Sequence, residues 1–115
     1  MKAIERAGET ISKKRGVVIR NELINADAPA DCAPEVRAAL ADSCREHGFP
    51  FLEMVSRAYH DSLFVSRIAP TGMLFIPCRN GYSHRPDECA APEDIARGAL
   101  VLAESLAKLS GRAEA

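Results

Sequence analysis

The chain has 115 residues, 47% of them apolar and 27% charged, with fifteen basic and sixteen acidic side chains giving a net charge of -1. That length holds one modest core, and the ordinary apolar share argues against disorder away from the ends. The balanced, interspersed charges lack the one-sided positive excess that nucleic acid needs, and no apolar run reaches the roughly 18 residues of a membrane span, so no nucleic acid and no membrane is an expected partner.

Lys2, Glu5, Arg6 and Glu9 stand where a signal peptide carries its apolar stretch, which gives a cytoplasmic expectation. Cys32, Cys44, Cys78 and Cys89 lack the close spacing of a zinc ribbon or redox motif and read as free thiols in a reducing compartment.

In chain order, residues 2–15 are polar and helix-forming, with Ile4, Ala7 and Ile11 three and four apart and Gly16 as a stop. The basic run Lys13-Lys14-Arg15 falls where that helix ends and suits its dipole. Residues 17–24 are β-branched and partly alternating, the signature of a strand. A connection containing Pro29 leads to a helix from Pro34, with Val36, Leu40 and Cys44 on one face and Gly48 as its end. His47 sits at that helix C-terminus as a dipole contact.

Residues 49–55 read as a short strand and 62–68 as a short helix closed by Pro70. Met73-Leu74-Phe75-Ile76 is apolar at consecutive positions, as a strand buried on both faces would be. After a loop from Cys78 to Ala91, Pro92-Glu93-Asp94 opens a helix carrying Ile95, Ala99, Leu102, Leu106 and Leu109 on one face. Helices alternating with strands predict an α/β layered fold.

His84 is the main chemical candidate, held between Gly81, which permits a tight turn, and Pro86, which stiffens the chain. Such a histidine suits zinc, or manganese with more oxygen ligands, if an acceptor such as Asp87 or Glu88 orients the ring. A surface histidine bonded to backbone satisfies the same pattern. His60-Asp61 stands where a strand hands over to a helix, so Asp61 could cap that helix or both could line an active site. Arg79 could clamp a substrate carboxylate or pair with Asp87 or Glu88. Cys78, His84 and Cys89 match no zinc-finger spacing.

Met73-Leu74-Phe75-Ile76-Pro77-Cys78-Arg79-Asn80-Gly81-Tyr82-Ser83-His84-Arg85-Pro86-Asp87-Glu88, followed by Ala91-Pro92-Glu93-Asp94-Ile95-Ala96-Arg97-Gly98-Ala99, resembles the C-terminal signature of the M20-type metal-dependent amidohydrolases. The nearest branch holds the N-carbamoyl-L-amino acid hydrolases, allantoate amidohydrolases and β-ureidopropionases. There the loop reads Pro-Ser-Arg-x-Gly-Ile-Ser-His-x-Pro-x-Glu-Tyr and its histidine is a ligand of a dinuclear metal centre, a position His84 occupies. Ser56-Arg57-Ala58-Tyr59-His60-Asp61-Ser62 is similar to the family's Ser-Gly-Ala-Gly-His-Asp-Ala, with Arg57 and Tyr59 in place of two glycines. Cys78 and Cys89 stand for a serine and a tyrosine.

The resemblance implies that residues 25–115 are the C-terminal portion of a zinc-exopeptidase-like layered α/β catalytic domain, and that 1–24 are the last helix and strand of a lid or dimerisation domain. It implies metal-dependent hydrolysis, with Zn2+ or Mn2+, of a carbamoyl or ureido C–N bond in a small acid. His84 would be the metal ligand, His60 and Asp61 catalytic lining, and Arg79 a substrate contact. The family's His-x-Asp pair, bridging aspartate and Glu-Glu base lie upstream of this stretch, so a truncated or split enzyme, inactive alone, is expected. The alternative is a non-catalytic module or remnant that pairs with a chain carrying the missing ligands; a homodimer is the other partner expectation.

Overall fold

A computed structural model of the chain describes residues 1–111. Its regular elements are the helices α1 (Lys2–Arg15), α2 (Pro34–Glu46), α3 (Ser62–Val65) and α4 (Pro92–Ser110), with one 3-10 turn over Arg79–Gly81. Three of the four predicted helices fall where their stop and start residues put them. Gly16 ends α1 in the left-handed region (φ 64), its N–H donating to the Ser12 carbonyl, with Lys13, Lys14 and Arg15 in the last turn. Proline opens both α2 and α4, neither of which has a side-chain cap. The exception is α3, which spans only four residues rather than the predicted 62–68.

The three predicted strands, 17–24, 49–55 and 73–76, are not strands among the described residues. A strand exists only as a member of a ladder, and these apolar stretches meet no neighbouring backbone to pair with. Val18 is 85% exposed, Val55 86% and Phe75 53%, so these apolar side chains are left open rather than packed into a layer. The α/β layering is therefore not formed within these residues.

The core is the seam between α2 and α4. Ala39, Ala41, Ser43 and Cys44 are buried from one side and Val101 and Ser105 from the other. The Ser105 hydroxyl lies 2.7 Å from the Val101 carbonyl and 3.2 Å from Ser43 Oγ, and Lys108 Nζ donates to Ser43 Oγ at 3.0 Å and to Glu46 at 2.7 Å. Each buried hydroxyl thus has partners, which burial of a polar group requires.

Residues 71–76 cross these helices: the Ala33 N–H donates to the Thr71 carbonyl at 2.8 Å, Gly72 meets Val36, and Gly98 meets Ile76. A Cβ on Gly98 would come within 2.5 Å of Ile76 Cγ2, so this contact depends on the missing side chain. The predicted face of α2 is correct, with Cys44 buried and Val36 and Leu40 half-buried. The predicted face of α4 is not: Ile95, Leu102 and Leu106 are exposed, while Val101 and Ser105 make the seam and Gly98 lies against Ile76. Small residues let two helices approach closely, whereas the larger apolar stripe needs a broader surface. On α1 likewise, Ile4 and Ile11 are exposed and Gly8 is the buried position, against Ile19 and Asn21.

Candidate functional site

The loop between residue 78 and α4 is built by short-range bonds. The Arg79 N–H donates to the Cys89 carbonyl at 2.8 Å, closing the loop at its base. The chain then turns through Asn80 (φ 54) and Gly81 (φ 67), and the Tyr82 N–H returns to the Arg79 carbonyl at 3.0 Å. Arg85 forms a two-bond pair with Asp87, both at 2.9 Å, and its guanidinium lies 3.9 Å from the Tyr82 ring centroid.

His84 stands at the far end of this loop in the left-handed region (φ 59), which few non-glycine residues occupy. Its N–H donates to Glu88 Oε2 at 2.8 Å, so an acidic side chain four residues on pins the unfavourable backbone. Nδ1 shares a 2.8 Å hydrogen bond with Ser83 Oγ, and Nε2 has no hydrogen-bond partner among the described residues. The ring is therefore oriented by Ser83 rather than by Asp87 or Glu88. Asp87 is taken by Arg85, and neither acid caps α4, whose cap residue is Ala91.

Arg79 has neither of its predicted acidic partners, since Asp87 and Glu88 are engaged elsewhere, and its side chain is exposed. With Pro77, Cys78, Cys89 and Asp94 it borders an open depression at the loop base. His60 is half-buried: Nε2 shares a 2.8 Å hydrogen bond with Ser56 Oγ, and its ring packs at 5.5 Å against Phe75. Asp61 occupies the cap position of α3, but its side chain accepts no capping bond; its carbonyl instead takes the Phe64 and Val65 N–H groups. No hydrogen bond or ion pair joins His60 or Asp61 to Arg79 or His84 among the described residues.

Two clusters escaped the reading of the sequence. Tyr59 OH donates to Asp27, which also accepts from Arg67 Nη2 at 2.6 Å, while Asn25 Nδ2 donates to the Tyr59 oxygen at 2.9 Å. These bonds hold the Asp27 carboxyl below the usual carboxylate range, the Tyr59 bond contributing most, while the Asp27 bond pushes Tyr59 up against the opposing pull of Asn25. The replacement of a family glycine by Tyr59 was the available signal. His47, read as a dipole contact, bonds Glu104 Oε1 of α4 at 2.7 Å and stacks at 5.4 Å on Phe49. That pair depends on two helices meeting, which no local pattern announces.

A catalytic zinc takes about three protein donors. Among the described residues no group of three or more His, Cys, Asp or Glu is placed to hold a metal ion. His84 offers one nitrogen, so these residues do not by themselves fit a metal centre.

The model of peptidase family M20/M25/M40 matches residues 10–108. The chain belongs to this family. Among its relatives, the ureidoglycolate hydrolase of Arabidopsis thaliana is 47% identical over 111 residues, covering 96% of this chain and 23% of that protein. The N-carbamoyl-L-amino acid amidohydrolase of Geobacillus stearothermophilus is 37% identical, covering 95% and 27%. The allantoate amidohydrolase of Bacillus subtilis is 37% identical, covering 71% and 20%. In three dimensions the crystal structure of AtUAH in complex with glyoxylate matches with a TM-score of 0.82 at 47% identity, over 95% of this chain and 26% of that one. An amidase of the hydantoinase/carbamoylase family from Burkholderia multivorans matches with a TM-score of 0.82 at 33% identity, over 90% and 25%. This M20-family chain thus spans about a quarter of the length of the relatives it matches. Among the described residues no helix is long and apolar enough to cross a membrane.

Proposed function

We propose that this chain forms the C-terminal portion of the catalytic unit of an M20-family amidohydrolase whose substrate is a small acid bearing a ureido or carbamoyl group. The relatives named for ureidoglycolate, N-carbamoyl amino acids and allantoate share that C–N bond chemistry in their names. The observation that carries the reading is His84: a strained backbone pinned by Glu88, one ring nitrogen engaged by Ser83, and Nε2 without a partner among the described residues. A ligand oriented through its other nitrogen is how metal-bound histidines are built. In this reading Arg79 receives the substrate carboxylate, and His60 and Asp61 line the site. Residues 25–115 belong to the layered α/β catalytic domain, where 73–76 gains its strand partners, and 1–24 to the lid or dimerisation domain.

The metal, Zn2+ or Mn2+, supplies the activated water when bound, and this stretch contributes one ligand to it. The chain alone is inactive, because the remaining ligands and the general base come from outside these residues. Two assays test this. Purified alone with zinc, manganese or cobalt, the chain is expected to leave N-carbamoyl amino acids, allantoate and ureidoglycolate intact; turnover that His84→Ala abolishes would overturn the inactivity. Grafted in place of the matching quarter of the Geobacillus stearothermophilus relative, it should support metal-dependent hydrolysis that His84→Ala lowers by about 100-fold or more. A graft equally active with alanine at 84 would remove the ligand role.

A further inference from the structure

We infer that Cys78 and Cys89 are a modification site: a dithiol that closes to an intramolecular disulfide and seals the Arg79 and His84 loop into a covalent ring. The two residues flank one backbone hydrogen bond, Arg79 N–H to Cys89 carbonyl, at 2.8 Å. Covalent geometry on either side of that bond limits the Cα separation of residues 78 and 89 to about 7.6 Å. The amide hydrogen also lies on the same side of the peptide as the Cys78 Cα, which lowers that limit to about 6 Å for a straight hydrogen bond. Disulfides span Cα distances of roughly 4.4–6.8 Å.

Both cysteines border the same open depression, Cys89 exposed and Cys78 half-buried. Each thiol now makes only a weak contact, Cys78 Sγ to the Tyr82 carbonyl at 3.3 Å and Cys89 Sγ to the Ala90 carbonyl at 3.7 Å. Little is lost when either sulfur turns away. Cys44 is buried in the α2 seam, and neither it nor Cys32 borders the depression that Cys78 and Cys89 share.

The oxidant is a low-molecular-weight disulfide such as oxidised glutathione. The exposed Cys89 thiolate attacks one of its sulfurs, forming a mixed disulfide and expelling one glutathione thiolate. The Cys78 thiolate then attacks the Cys89 sulfur, the Cys78–Cys89 bond forms, and the second glutathione leaves. Two electrons pass from the protein dithiol to glutathione disulfide, and the two protons pass to the released thiols. This chemistry stands whether or not His84 binds metal.

The test equilibrates the whole reduced chain in glutathione buffers of graded ratio, traps free thiols by alkylation and maps the peptides by mass spectrometry. A linked 78–89 peptide should dominate, with an equilibrium constant at least about tenfold larger in native buffer than in concentrated guanidinium. Equal constants in the two media would show that the fold does not bring the pair together. A persistent glutathione adduct on Cys89 beside a free Cys78, or a Cys89-linked dimer as the main product, would equally overturn the inference. In a Cys78→Ser chain the Cys89 adduct should accumulate, because nothing resolves it.

Discussion

Tyr59 ties the connection before α2 to the segment that carries His60, and its bond to Asp27 sets a pH dependence at both ends of the scale. Asp27 titrates below its usual value near 3.8 because the Tyr59 hydroxyl, then Arg67, favours the carboxylate. Its folded value is the lower one, so its contribution to stability is present above about pH 4 and lost as pH falls through the folded value. Tyr59 runs the other way: raised by the Asp27 bond, its contribution is complete below about pH 10 and lost as pH climbs through the folded value. In Tyr59→Phe the Asp27 midpoint should move up toward the ordinary range, followed by the carbon NMR shift of its carboxyl. An unmoved midpoint would mean that the hydroxyl is not what holds Asp27. At this scale the turn before His84 was legible, because Gly81 and Pro86 meet backbone demands that sequence records, whereas the left-handed backbone of His84 itself was not. The partners were not: Ser83, Glu88 and Arg85 each had several neighbours within reach, and only the turn through Asn80 and Gly81 decides among them.

Among elements, the crossing of α4 over residues 71–76 depends on Gly98. Alanine there puts a methyl 2.5 Å from Ile76 Cγ2. Overpacking of that kind costs about 1–3 kcal/mol, and the better helix propensity of alanine returns about 1 kcal/mol, for a net loss of roughly 1 kcal/mol. Urea unfolding of Gly98→Ala should show it, and Ile76→Ala in the same chain should make the glycine change neutral or favourable. A loss unchanged by Ile76→Ala would place the strain elsewhere. The helix boundaries were readable because Pro34, Pro92 and Gly16 act locally. The three stretches expected as strands are legible only as apolar, β-branched runs; pairing is a property of two segments, and none of the three pairs among the described residues. For α4 the periodicity marks an apolar stripe but not the buried face; that Val101 and Ser105 make the seam and Gly98 meets Ile76 reflects what α2 and residues 71–76 offer it.

The whole molecule exposes 9471 Å². A compact monomer of this mass exposes about 6100 Å². Its radius of gyration is 20.1 Å. A globule of 115 residues has one of about 13 Å. The excess includes Ile95, Leu102 and Leu106 along α4 together with Phe75. Alone, the chain should bind a hydrophobic dye and self-associate as its concentration rises, measured by fluorescence and sedimentation. Leu106→Lys should change its own unfolding free energy by less than about 0.5 kcal/mol, because the residue is already 58% exposed. In the grafted enzyme the same change should cost about 2–5 kcal/mol if that stripe is then buried; equal effects in both settings would mean that α4 keeps this face open.

The α2 and α4 seam also sets an order of events. Its two helices are joined by residues 47–91, so the contact that buries Ser43 and Ser105 must first close a loop of that length. Until it does, α2 and α4 are single helices of marginal stability in water, and residues 71–76 have nothing to lie across. Folding of this stretch therefore waits on one distant encounter. A substitution at Ser43 or Ser105, far from His84 in the chain, is expected to slow the arrival of the loop that carries it.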